Sequence, residues 1–266
     1  MIELPSELES YRSQLEDSEK DFIKITTEKV EKSSPTESKI GGYPFLPKGF
    51  AYPKDKDGTP LEFLAQINFL DVPQNDIYPK NGIIQFFISF DDLYGADLDY
   101  ETLQEGYRVI YHENIEKEVE TNFDFLDSLR ENGLSPLSHK NILKMSFQKA
   151  SEYVSATDYQ FENYFGKSIY DFFEKFEEED EMVEFYYENI DKSGHKLGGY
   201  ANFTQDDPRA FSETLNKDYE LLFQLDSNED VEDICWGDVG IGNFFIKRED
   251  LINRKFSKVI FTWDCG

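Results

Sequence analysis

Basic residues are scarce in this chain. Twenty-seven lysines and arginines face 55 aspartates and glutamates, a net charge of −28 with a pI near 4.4. Such a surface repels the phosphates of nucleic acid and anionic lipid headgroups, and it attracts basic proteins, polyamines or divalent cations. The expected partner is therefore a basic protein, with neither nucleic acid nor membrane, although solubility alone would also account for the charge. Histidine is nearly absent: His112, His139 and His195 share no metal-binding spacing, and no Cys-x-x-Cys occurs. Neither a metal nor a cofactor is expected. Only two cysteines are present, Cys235 and Cys265. Their scarcity fits a reducing compartment, and the reading is two free thiols, though parity would allow a bridge. No apolar run approaches the roughly 20 residues that cross a bilayer. The opening M-I-E-L-P-S-E-L-E-S has neither the basic region nor the apolar core of a signal peptide, so the cytoplasm is expected.

Recognisable catalytic patterns are missing too. There is no G-x-S-x-G serine. Trp236–Asn243, W-G-D-V-G-I-G-N, does not reproduce the dinucleotide fingerprint G-x-G-x-x-G. Acids are so numerous that no pair stands out for acid–base work. The sequence leans away from an enzyme.

What the chain does have is aromatic side chains, 24 Phe and 16 Tyr, which mark a folded protein with a substantial core. Ser6-x-x-Glu9 resembles a capping box, and Leu8, Tyr11 and Leu15 recur at helical spacing, which predicts a helix over 6–19. Prolines 44, 47 and 53 forbid one in the next aromatic stretch. Strands are predicted at 22–30, 61–69, 83–90, 107–112, 142–147, 219–225, 243–246 and 258–263. Helices are predicted at 121–132, across 158–189 with a break at Gly166, and at 248–253. The acidic run 177–181 lacks the alternating oxygen ligands and glycine of a calcium loop and reads as a solvated helix end.

Two stretches match. K-I-G-G-Y (39–43) precedes Gln66 and then F-F-I at 86–88; K-L-G-G-Y (196–200) precedes Gln224 and then F-F-I at 244–246. Gly41 lies 25 residues before Gln66, and Gly198 lies 26 before Gln224. Ordered anchors at matching intervals indicate a duplication, and two copies are too few for a solenoid. Each Gly-Gly is either a tight turn entering a strand or a backbone nest for an anion. Gln66 and Gln224, in apolar strands, need partners for their amides. Either they brace neighbouring backbone, or they face a ligand between the halves. With Tyr43, Tyr200, Trp236 and Asp238 they form the candidate ligand-binding set; Asp238 suits a turn equally well.

The same residues carry a likeness. S-K-I-G-G-Y-P-F-L-P, G-T-P-L-E-F-L-A-Q-I-N, W-G-D-V-G-I-G-N-F-F-I and the near-terminal Cys265 resemble the YwqG-like bacterial family, whose members carry a domain of unknown function. Tyr52-Pro53 stands where that family often has Trp-Pro. The resemblance implies an α+β fold with much antiparallel sheet, and no site residue comes with it. The expected organisation is one compact unit. An N-terminal helix and strand (1–38) pack on the body, followed by a first repeat half (39–125), an aromatic helical segment (126–195) and a second repeat half (196–266). The expected function is an acidic binding protein for a basic partner. The alternative is a small-molecule-binding protein or enzyme with its site between the halves.

Overall fold

The computed structural model describes residues 2–139 and 141–266. Alternating or wholly apolar runs rich in Ile, Phe and Val pair as strands. They are β1 (Lys20–Val30), β2 (Lys39–Ile40), β3 (Glu62–Asn68), β4 (Ile83–Ile88), β5 (Tyr107–His112), β6 (Ile142–Glu152), β7 (Lys196–Gly198), β8 (Tyr219–Asp226), β9 (Ile241–Lys247) and β10 (Ile260–Asp264). All pairings are antiparallel, in the order β10-β9-β8-β7-β1-β6-β2-β3-β4-β5. The sheet curls into a nearly closed barrel. Phe86 meets Phe223 and Phe244 across the interior, with ring centroids 4.8 and 4.7 Å apart. The two edges approach where Tyr107 on β5 donates its hydroxyl to the Val259 carbonyl, just before β10.

The centre of the sheet is the long pair β1·β6, with Thr26 opposite Ser146. On either side of it the registers repeat. Lys24 pairs with Lys196, and Lys144 pairs with Lys39. Lys39 pairs with Gln66, and Lys196 with Gln224. Register shifts fall between Phe63 and Ala65, and between Leu221 and Phe223. β1 therefore lies against β7, from the far end of the chain, and β6 lies against β2.

Strands β3 and β4 are buried throughout, because both faces are covered. Inward-facing Leu64, Ile67, Ile84, Phe86, Phe223 and Phe244 fill the barrel. Outward-facing Phe63 and Phe87 lie beneath Tyr52 of the proline-rich segment. Outward-facing Leu221 and Phe245 lie beneath Phe203 and Leu215 of the corresponding later segment. A separate core joins Leu8 and Leu15 to Phe161, Phe172, Phe173 and Tyr186 of the helical region.

Two local expectations are corrected. The first helix is a 3-10 turn at Glu9–Tyr11 followed by α-helix at Arg12–Asp17, not a helix from residue 6. No capping box forms: Ser6 donates its hydroxyl to Glu7, and the Glu9 carboxylate is held by Arg12 at 2.8 Å. The strand expected at 142–147 continues to Glu152, so the segment assigned to helices supplies half of the central pair.

Candidate functional site

The two glutamines lie on the outer surface of the barrel, not facing one another. Gln66 Oε1 accepts the Phe45 N–H at 2.8 Å, while its Nε2 donates to the Pro35 and Glu37 carbonyls at 2.6 and 2.8 Å. Gln224 Oε1 accepts the Asn202 N–H at 2.9 Å, and its Nε2 donates to the Gly194 carbonyl at 2.9 Å. Neighbouring strands add a second amide to each clamp: Gln85 donates to the Phe45 carbonyl and Asn243 to the Asn202 carbonyl. Both glutamines are fully buried, so these amides hold the segment after each Gly-Gly turn and have no free polar atom for a ligand.

The remaining four candidates are dispersed. Tyr43 is exposed, stacks on Phe123 at 5.1 Å and lies under the Arg130 guanidinium. Tyr200 is buried, donating its hydroxyl to the Ser18 carbonyl at 2.7 Å and its N–H to Glu152. Trp236 is sealed in the barrel against Tyr94, Phe261 and Trp263. Asp238 sits in an exposed turn whose carbonyl accepts the Gly266 N–H. Each Gly-Gly pair is a left-handed turn, with φ of 71° and 73° at Gly41 and Gly42 and 68° and 77° at Gly198 and Gly199. Cys235 and Cys265 are free thiols. Among the described residues, no group of three or more His, Cys, Asp and Glu could hold a metal ion.

A different place combines shape with charge. Between the helical region and the segment 203–211 lies a cleft of about 580 Å³. Two of its lining residues, Asp158 and Asp207, belong to a buried ion triad with Arg209, which does not itself line the cleft. Arg209 Nη2 reaches Asp158 and Asp207 at 2.7 Å each, and all three side chains are at most 2 % exposed. Burial opposes the guanidinium charge, yet Asp158 first and Asp207 next hold its pKa above the ordinary value. Two carboxylates on one guanidinium leave a single negative charge. The triad also fixes the walls: Asp207 accepts the Tyr159 N–H at 2.9 Å, and Asp158 accepts the Ala201 N–H at 2.9 Å.

The walls are aromatic and the rim is acidic. Tyr170 and Phe211 are each 66 % exposed and Tyr187 39 %, with Tyr159 and Phe203 deeper. Burial, and then the adjacent Tyr170, push the Tyr187 phenol well above its ordinary pKa, so it stays neutral. Glu162 and Asp206 stand exposed at the edge, and no Lys, Arg or His lines the cleft. Electron-rich ring faces with uncompensated carboxylates attract a cation. Sequence reasoning missed this site. Tyr170 lies in the helix Ile169–Phe173 and Phe211 just after the turn Pro208–Ala210, and only the spatial approach of the two forms the cleft.

Residues 38–265 match a family described as Domain of unknown function (DUF1963). No curated protein matches the chain. No helix among the described residues is long and apolar enough to cross a membrane.

Proposed function

We propose that this chain, which belongs to the DUF1963 family, is a binding protein that takes a cationic side chain of a basic protein into its aromatic, acid-rimmed cleft. The carrying observation is the lining: the exposed rings of Tyr170, Tyr187 and Phe211 beside the carboxylates of Glu162 and Asp206, with Asp158 and Asp207 already sharing Arg209. Within the family, the reading is a YwqG-like bacterial member working in the cytoplasm. The net charge of −28 would draw a basic partner from a distance and discourage nucleic acid and anionic membranes. The rings would then desolvate one Lys or Arg head, with Glu162 and Asp206 completing the contact.

The repeated registers support a second part of the reading, a duplication. The repeating unit is β1–β5 followed by β6–β10, with the first strand of each unit exchanged onto the other. Its axis would pass through the Thr26–Ser146 pair.

The test is titration of a labelled oligo-arginine peptide, read by anisotropy. Tyr170→Ala with Phe211→Ala, and separately Glu162→Gln with Asp206→Asn, should each weaken binding about five- to tenfold. Asp57→Asn with Glu116→Gln, exposed acids of the first half, should cost less than about twofold at physiological salt. Equal losses in cleft and control variants would reduce the interaction to undirected charge and overturn the cleft's role.

A further inference from the structure

A second cleft, of about 270 Å³, lies where the first half meets the second. One wall is the loop Asn75–Tyr78, between β3 and β4; the other is formed by β1, β7, β8 and the start of the helix Arg248–Ile252. The loop is fixed in place. Asn75 Oδ1 accepts the N–H groups of Ile77 and Tyr78, and the Tyr78 hydroxyl donates to the Leu222 carbonyl at 3.2 Å.

The first half shows what a cleft at this position can hold. There Arg130, from the helix Asp127–Asn132 that follows this half, makes a fork to Glu62, at 3.0 and 2.7 Å, and donates to the Gly42 carbonyl at 2.8 Å while covering the Tyr43 ring. The corresponding groups of the second half are Glu220, Gly199 and Tyr200: Glu62 pairs with Ile88 on β4, and Glu220 pairs with Ile246 on β9. Here Lys20 replaces Arg130. It donates to the Gly199 carbonyl at 3.1 Å and lies over the Tyr200 ring, but forms no ion pair with Glu220. Among the described residues the Glu220 carboxylate makes one ion pair, a loose one with Arg248 at 3.5 Å. In the first half, then, a guanidinium of the chain itself saturates the carboxylate. In the second half the carboxylate and the ammonium are separate and both line an open cleft.

The lining charges balance. Lys20, Lys149 and Arg248 face Asp21, Asp76 and Glu220, and Leu197, Leu221, Leu251 and Ile77 supply apolar surface. On a chain of net charge −28, a net anion would be repelled from such a cleft, while an uncharged apolar molecule would leave Lys20 and Glu220 unused. A zwitterion meets neither objection.

We propose that this cleft binds a small zwitterion of the amino-acid class. Its ammonium would sit at Glu220, its carboxylate at Lys20 and Arg248, and its apolar side chain on Leu221 and Leu251. The site shares no lining residue with the aromatic cleft, and the proposal does not rest on the basic partner.

The experiment is a thermal-shift screen of the intact protein with each standard L-amino acid at about 10 mM, followed by calorimetry on the strongest. Apolar amino acids such as L-leucine or L-phenylalanine are expected to raise the melting temperature. The matching amino-acid amide and the matching desamino acid should each bind at least about tenfold more weakly, since each lacks one charge-assisted contact. Glu220→Gln and Arg248→Gln, both at partly exposed side chains and compatible with folding, should weaken binding similarly, and Lys20→Met more. No shift with any amino acid would overturn the proposal. So would equal affinity for the amide or desamino analogue, or unchanged affinity in folded Glu220→Gln and Arg248→Gln.

Discussion

Lys196 Nζ lies 3.0 Å from Glu152 Oε2, and both side chains are 1 % exposed. The pair joins β7 to the end of the central strand β6, and the second Glu152 oxygen accepts the Tyr200 N–H. Burial raises the Glu152 pKa, with Lys196 acting against that rise. Removing one partner should therefore cost more than removing both. Lys196→Met is expected to lose about 3–5 kcal/mol in urea denaturation, and Lys196→Met with Glu152→Gln distinctly less than Lys196→Met alone.

The same carboxylate makes Gly199 irreplaceable. Its φ is +77°, and a Cβ there would run into Glu152 and approach Phe22 Cβ to 2.8 Å. Gly199→Ala should cost about 2–4 kcal/mol. Gly58→Ala, with φ +85° and open space around it, should cost only about 1–2 kcal/mol of backbone strain. Melting temperatures of the two variants measured side by side check the difference.

Lys39 supplies a pH signature. Burial lowers its pKa to about 8, with Glu37 pulling the other way, and its ammonium donates to the Ser34 carbonyl. The unfolded lysine titrates near 10.4. Between those values the unfolded chain holds the proton and the folded chain does not, so stability rises with pH across the window. This contribution is complete above the unfolded value and is lost as pH falls through about 8. Lys39→Met should stabilise the protein at pH 7 by about 1–3 kcal/mol, an advantage that vanishes above about pH 10.5. Denaturation midpoints of both proteins across pH 7–10.5 test the sign.

The amide clamps separate bracing from binding. Gln224→Met leaves the Asn202 N–H and the Gly194 carbonyl without their buried partner, and Gln66→Met does the same to Phe45 and Glu37. Each should cost about 2–4 kcal/mol. Affinity for an oligo-arginine peptide below the melting transition should be unchanged, measured by the anisotropy titration described above.

Local features were legible in the sequence because their causes are local. Pro44, Pro47 and Pro53 excluded helix, Gly-Gly marked left-handed turns, and the β-branched and aromatic runs became β3, β4, β8 and β9. Even the need of Gln66 for partners followed from one polar residue in an apolar strand. Long-range pairing left no such trace. Nothing in K-D-F-I-K-I-T-T-E-K-V names I-L-K-M-S-F-Q-K-A-S-E as its neighbour, so the sequence predicts a strand in each without showing that the two form the centre of the sheet. The charged sites were hidden for the opposite reason. Among 55 acids, Glu162, Asp206 and Glu220 are distinguished only by what stands beside them in space. Arg209 gave no signal at all, although two carboxylates 2.7 Å away tie it to residues that line the cleft.

The position of β1 between β6 and β7 governs how the molecule can be made. As the chain leaves the ribosome, β2 to β5 can form a meander, but β1 has emerged earlier and its neighbours β6 and β7 have not yet been synthesised. The first strand must wait, and the closing of so long a loop costs entropy before any contact repays it. A nascent chain stopped before Ile142 therefore carries an unpaired apolar strand, Phe22, Ile23 and Ile25 included, and is a natural client for a chaperone.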